Sequence, residues 1–126
     1  MDDSACEIGL RRWQRAMRWR RRVERELRPL ELTLAQWLVL DTMAKLIRET
    51  DDAVSQVQVA RRLEMDKATL SQVMDALARH GLVDRGPSFP GPEYRIYLTK
   101  NGAKLAAQGR AVVAAASVSE SGAGEH

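Results

Sequence analysis

The sequence predicts a mainly α-helical fold with a small β hairpin, on three observations. Several stretches of the 126-residue chain open on capping signals and carry apolar residues at helical spacing. The window Ser55 to Arg85, SQVQVARRLEMDKATLSQVMDALARHGLVDR, codes a short helix, a tight turn, a longer helix, a glycine stop and a strand. A second alternating segment, Tyr94 to Leu98, lies beyond a stretch rich in Gly and Pro and completes a hairpin. A helix-turn-helix followed by a hairpin, with long helices before and after it, is the outline of a winged helix-turn-helix, whose second helix can lie in the DNA major groove.

Each element has a local reason. Ser4-x-x-Glu7 is a capping box for a first helix reaching about Arg28, with Leu10, Trp13, Met17, Val23 and Leu27 as its apolar beat. Pro29 ends it. Thr33-x-x-Gln36 opens a second helix to about Arg48, with Trp37, Leu40, Met43, Leu46 and Ile47 on one side, and the polar run Glu49 to Ala53 reads as a loop. Ser55-x-x-Gln58 opens the short helix, about Gln56 to Leu63. Glu64-Met65-Asp66 makes the turn, Asp66 caps the next helix, Lys67 to His80, and Gly81 suits a left-handed stop. Leu82 to Arg85 is the first strand, and Gly86 to Glu93 is the hairpin tip, or wing. Thr99 caps a last helix, about Lys100 to Ala116, with a face of small and aliphatic residues (Gly102, Leu105, Ala106, Gly109, Val112, Val113, Ala116). Ser117 to His126 reads as a disordered tail.

Composition narrows the class. The chain fits one domain, 1–126, and a hydrophobic share of 44% is enough for a core. The acidic start carries no apolar signal segment, and the run near Leu32 to Leu40 is too short to span a bilayer, so a cytoplasmic protein without a membrane partner is expected. A single cysteine, Cys6, excludes an intrachain disulfide, and His80 and His126 lack ligands at useful spacing, so no metal and no cofactor are expected. No nucleophile-base pair, paired catalytic carboxylates or phosphate-cradling loop points to an enzyme. Residues 11–28 hold nine arginines and two carboxylates, a net of +7 in a chain whose total is +3. Such asymmetry suits a polyanion or acidic partner, or simply a solvated helix face.

Candidate site residues lie on the outer side of the window. Thr69, Ser71 and Gln72 are small or amide side chains near the start of the longer helix; Gln can bond adenine N6 and N7 together, and Thr can touch a thymine methyl. Ser55, Gln56 and Lys67 are placed to meet phosphates beside helix N-termini, and Arg61, Arg62, Arg79, Arg85 and Arg95 are left to supply the remaining phosphate contacts. The ordinary alternative is solvent-facing polar residues. Charge weighs on that side: from Ser55 to Arg85 five basic residues face four acidic ones, a net of only +1.

The stretches RPLELTLAQWLVLDTM (Arg28 to Met43), QVARRLEMDKATLSQVMDALARHGLVDR (Gln58 to Arg85) and YLTKNGAKL (Tyr97 to Leu105), in this order and spacing, resemble the MarR family of bacterial transcriptional regulators, with a SlyA-like flavour. The resemblance covers about Trp13 to Ala116. It implies a homodimer paired through the first and last helices (about 4–30 and 100–116), a DNA-binding winged helix at about 33–99, and a repressor on a palindromic operator in double-stranded DNA. It also implies a small aromatic ligand, for which Trp13, Trp37 and Met43 are candidates, though aromatics at helical spacing are usually core. In some relatives a cysteine in the first helix senses peroxide; here Cys6 lacks the tyrosine pair in the second helix that would hold its thiolate.

The sequence departs from the family pattern in three places. The wing, Gly86 to Glu93, has no basic residue where the family carries an Asp-x-Arg signature, so Arg95 is the nearest cation and Phe89 a packing or wedge residue. Gln72 stands where an Arg is common. The resemblance also implies a sixth helix from about where the sequence stops. These departures, with the near-neutral window, support a second reading: a winged-helix protein-interaction module or heterodimer partner with weak or no DNA binding.

Overall fold

The computed structural model describes residues 3–50, 54–86 and 95–124, with side chains to Val118. Its elements are α1 (Asp3–Leu27), a 3-10 turn (Arg28–Leu30), α2 (Leu34–Thr50), β1 (Val54–Ser55), α3 (Gln56–Leu63), α4 (Lys67–Arg79), β2 (Val83–Gly86), β3 (Arg95–Leu98) and α5 (Lys100–Gly124). The strands form one antiparallel sheet in the order β1-β3-β2. This is the winged helix-turn-helix order. The wing tip with Phe89, Glu93 and Tyr94 lies outside the described residues, as does His126.

Besides a one-residue shift of β2 to Val83–Gly86 and an α1 that already includes Ser4, three boundaries differ from the sequence reading. β1 pairs Val54 with Ile96 and Ser55 with Arg95, a two-residue ladder to a distant segment that no local signal announces. α2 runs to Thr50, so Glu49 and Thr50 are helical where a loop was expected; the Thr50 hydroxyl donates to the Leu46 carbonyl at 2.8 Å and finishes the last turn. α5 continues through the expected tail to Gly124; Ala114-Ala115-Ala116 has the highest helix propensity and carries the helix onward.

The chain forms two compact units, one of residues 1–34 with 111–126 and one of residues 35–110, with α5 divided between them. In the second, here the reading unit, Val39, Leu40 and Met43 of α2, Val59 of α3, Leu70, Met74 and Leu77 of α4, and Val83 and Ile96 of the sheet are enclosed. Two glycines permit close approaches. A Cβ at Gly102 would stand 2.0 Å from the Leu82 carbonyl oxygen, and one at Gly109 would stand 2.3 Å from Cδ1 of Trp37. Trp37 lies against that bare backbone and donates its indole N–H to the Ala106 carbonyl at 3.2 Å. Thr99 joins the sheet to α5: its hydroxyl accepts from the Gly102 N–H at 3.0 Å and donates to the Gly81 carbonyl at 2.8 Å.

The first unit, here the helix unit, holds α1 and the far part of α5. Trp19 donates its indole N–H to the Ser117 hydroxyl at 2.8 Å, and Glu24 accepts from the Leu34 N–H at 3.2 Å. Val23 and Leu27 are enclosed. Residues 3–16, by contrast, are exposed on every side of the helix.

Candidate nucleic-acid interface

The helix-turn-helix is set by its ends. Ser55 caps α3 with a reciprocal box: its hydroxyl oxygen accepts from the Gln58 N–H at 3.2 Å, and Gln58 Oε1 accepts from the Ser55 N–H at 2.8 Å. α3 ends on Glu64 in the left-handed region (φ 52°), where Met65 donates back to the Ala60 carbonyl at 3.0 Å. Asp66 then caps α4, Oδ1 accepting from the Thr69 N–H at 2.6 Å. That N–H, followed by the Thr69 hydroxyl, holds the Asp66 carboxyl below its usual range. α4 stops in a Schellman motif: Gly81 takes φ +72° and bonds to the Ala78 carbonyl, and Leu82 bonds to the Leu77 carbonyl at 2.9 Å.

On α4 so fixed, Leu70, Met74 and Leu77 face the core, and Lys67, Thr69, Ser71, Gln72, Asp75 and Arg79 are exposed. The expected stripe of Ala68, Ser71, Gln72, Asp75 and Arg79, with Lys67 and Thr69 flanking it, is thus solvent-facing on one helix. Gln56 is half-buried at the first position of α3. Ser55 and Arg95 face each other across β1 and β3, and Arg95 also pairs with Gly86 of β2, which brings these two candidates together at the root of the wing.

The structure separates the expected phosphate contacts into two groups. Arg61, Lys67 and Arg79 stand exposed. Arg62 and Arg85 are engaged with carboxylates. Arg62 clasps Glu49 with both terminal nitrogens, at 2.7 and 3.4 Å, tying α3 to the end of α2. That contact lowers the Glu49 carboxyl and raises the guanidinium. Arg85 bonds Asp75 Oδ1 at 2.6 Å and the Ser71 carbonyl at 3.3 Å. A further cluster escaped the sequence reading. Asp41 of α2, 6% exposed, meets Lys45 at 3.2 Å and Arg110 of α5 at 2.8 Å. Its i, i+4 spacing to Lys45 is legible, but Arg110 reaches it from sixty-nine residues away.

The three candidate ligand residues differ in exposure. Met43 is fully enclosed and Trp37 is 7% exposed, both in the reading unit's core, whereas Trp13 lies on α1 of the helix unit and is 62% exposed. The helix unit has its own groove of about 590 Å³, with Arg22, Arg25 and Glu26 on one side and Ala111, Val112, Ala115 and Ala116 on the other. Cys6 is exposed on α1. Among the described residues there is no cluster of three or more His, Cys, Asp or Glu able to hold a metal, and no helix long and apolar enough to cross a membrane.

The helix-turn-helix, three-stranded wing sheet and long outer helices define a winged-helix protein. Residues 30–88 match the model described as MarR family. A MarR-family transcriptional regulator from Rhodococcus sp. RHA1 superposes with a TM-score of 0.76 and 27% identity, over 89% of this chain and 76% of that one. CouR from Rhodococcus jostii RHA1, bound to p-coumaroyl-CoA, gives a TM-score of 0.73 and 27% identity over 86% and 73%. A mutant MarR from E. coli complexed with operator DNA shares the fold, with a TM-score of 0.77 and 23% identity over 88% and 76%. The chain belongs to the MarR family of DNA-binding transcriptional regulators.

Proposed function

We propose that the protein is a cytoplasmic repressor that binds a palindromic operator as a homodimer, each protomer reading one half-site with α4. The observation that carries this reading is the exposed stripe with Ser71 and Gln72, flanked by Thr69, borne on a helix capped at both ends and anchored by Leu70, Met74 and Leu77. A small α-helix face of this kind fits the major groove, where Gln and Thr discriminate adenine and thymine. Lys67, Arg61 and Arg79 supply phosphate contacts that set register. A mutant MarR from E. coli complexed with operator DNA has the same fold, which supports DNA as the partner.

The homodimer is supported by α1, whose exposed Ile8, Leu10 and Trp13 need a covering surface. A small-molecule effector is a further part of the proposal. CouR bound to p-coumaroyl-CoA is a relative with such a ligand, and the groove of the helix unit has the apolar wall and cationic rim that an amphipathic anion needs.

The test is selection of binding sites from random duplex DNA, followed by titration of the selected site. Salt-dependent, sequence-selective binding is expected, and its absence refutes the proposal. Within it, Gln72→Ala should relax discrimination at one base pair by about 1–3 kcal/mol; equal loss on every sequence removes Gln72 from the reading set. The second reading, a protein-interaction module, has one observation in its favour: with Arg62 and Arg85 engaged by carboxylates, the reading head has little cationic surface. A stable homodimer that binds its selected site excludes it as the main role.

A further inference from the structure

We infer that Arg85 is a positioning residue, a clamp between β2 and the reading helix on which operator selectivity depends, and not a phosphate contact; the inference rests on the proposed DNA-reading function. Strand parity gives its direction. Side chains alternate along β2, so Val83 and Arg85 share one face and Asp84 takes the other. Val83 is enclosed, and the partner of Arg85 on β3, Ile96, is enclosed as well, while Asp84 and its partner Tyr97 are exposed. Arg85 thus projects from the inner face of the sheet toward α4.

There its guanidinium meets two groups one helical turn apart. Nη1 bonds Asp75 Oδ1 at 2.6 Å, and Nη2 donates to the Ser71 carbonyl at 3.3 Å. Both acceptors belong to the outer stripe of α4, on either side of Gln72 in sequence. The two-nitrogen fork fixes an angle as well as a distance between strand and helix, which a point charge cannot do. Arg85 stands one residue before the end of β2 at Gly86, so the clamp sets where the end of β2 lies relative to the side chains that read bases. It also neutralises Asp75, the one carboxylate on that stripe, which would otherwise repel phosphate. Arg85 is 30% exposed and Asp75 53%, so the pair contributes little to global stability. Its effect is on local geometry.

The experiment compares the full-length protein with Arg85→Lys, Arg85→Ala and Asp75→Ala on the selected operator and on a scrambled duplex, across about 50 to 200 mM salt. Amide hydrogen exchange of β2 and α4 is measured without DNA. Arg85→Lys keeps the charge but cannot span both acceptors. Operator affinity should fall about 5- to 150-fold, the range of one lost base contact, with scrambled binding and salt slope unchanged. Asp75→Ala frees the guanidinium, so scrambled binding should strengthen and the salt slope steepen by about 1. Exchange at Val83 to Gly86 should rise in all three variants.

If Arg85→Lys binds the operator like wild type, while Arg85→Ala loses equally on both duplexes with a slope shallower by about 0.9, Arg85 is a phosphate contact and the inference is overturned. If the wild-type protein shows no selective binding, the DNA-reading proposal fails by itself. The clamp is then judged by exchange alone: faster exchange supports it, and unchanged exchange in β2 overturns it.

Discussion

In α4 the large apolar side chains Leu70, Met74 and Leu77 are all enclosed, and the outer face is polar. In the first half of α1 nothing is enclosed: residues 3–16 are exposed all round, with Ile8, Leu10 and Trp13 among them. Both segments are helical, but for different reasons. A 13-residue helix such as α4 is marginal in water and is held by the core beneath it and by its caps. α1, at 25 residues, has length and arginines in its favour, yet three large side chains at its start, Ile8, Leu10 and Trp13, stay 45%, 49% and 62% exposed. The reading unit encloses a core of its own. The helix unit leaves Ile8, Leu10 and Trp13 exposed, the side chains that the proposed homodimer would cover.

The most direct way to break this comparison is the same substitution in both places. Leu77→Ala removes an enclosed side chain and should lower the unfolding free energy by about 2–5 kcal/mol, measured by urea denaturation at low protein concentration. Leu10→Ala, on a half-exposed side chain, should change that value by no more than about 0.5 kcal/mol. Its effect should appear instead in sedimentation, as a shift toward monomer that grows when Trp13→Ala is added. If Leu10→Ala destabilises the dilute protein as much as Leu77→Ala does, α1 is packed within its own chain and the contrast is wrong.

The next effect in size tests how tightly the reading unit is closed. Gly102 has room for no side chain, because its added carbon would meet the Leu82 backbone carbonyl at 2.0 Å. A backbone atom cannot swing aside as a side-chain tip can. Gly102→Ala should therefore cost at least about 1–3 kcal/mol by denaturation, although alanine is the better helix former in isolation. A stabilised Gly102→Ala protein would show that the sheet and the start of α5 are loosely joined.

The same contrast explains what could be read from the sequence. Ser55, Asp66, Gly81 and Thr99 act on backbone groups two to four residues away, so their roles follow from local chemistry, and the helices of the reading head appear where those residues place them. β1 was not legible, because Val54 and Ser55 become a strand only by meeting Ile96 and Arg95. The left-handed Glu64 was not legible either, since a glutamate carries no signal for positive φ. The candidate reading stripe on α4 followed from periodicity alone. The engagement of Arg85 did not, although the enclosed Val83 two residues earlier gives the parity from which its inward direction follows. Periodicity on α1 defined an apolar face around Leu10, Trp13 and Met17, but periodicity identifies a face without saying what covers it.

The smallest expected effect concerns acid, and it should fall on the reading unit through Asp66 and Glu49. Each carboxyl is held below its usual range in the folded chain, Asp66 first by the Thr69 N–H and Glu49 first by its hydrogen bond to Arg62. A carboxyl with a depressed folded value binds its proton more weakly than in the unfolded chain. Its contribution is therefore fully present above the ordinary carboxylate range and is lost as pH falls through the lowered folded value. Thermal melts of the wild type and of Asp66→Asn should differ by a constant amount at neutral pH, and the gap should close below about pH 4. Glu49→Gln should behave in the same way, with a gap that high salt reduces because the Arg62 clasp is exposed. A gap for Asp66→Asn that widens as acid is added would mean that the carboxylate does not cap α4, and the turn between α3 and α4 would need another explanation.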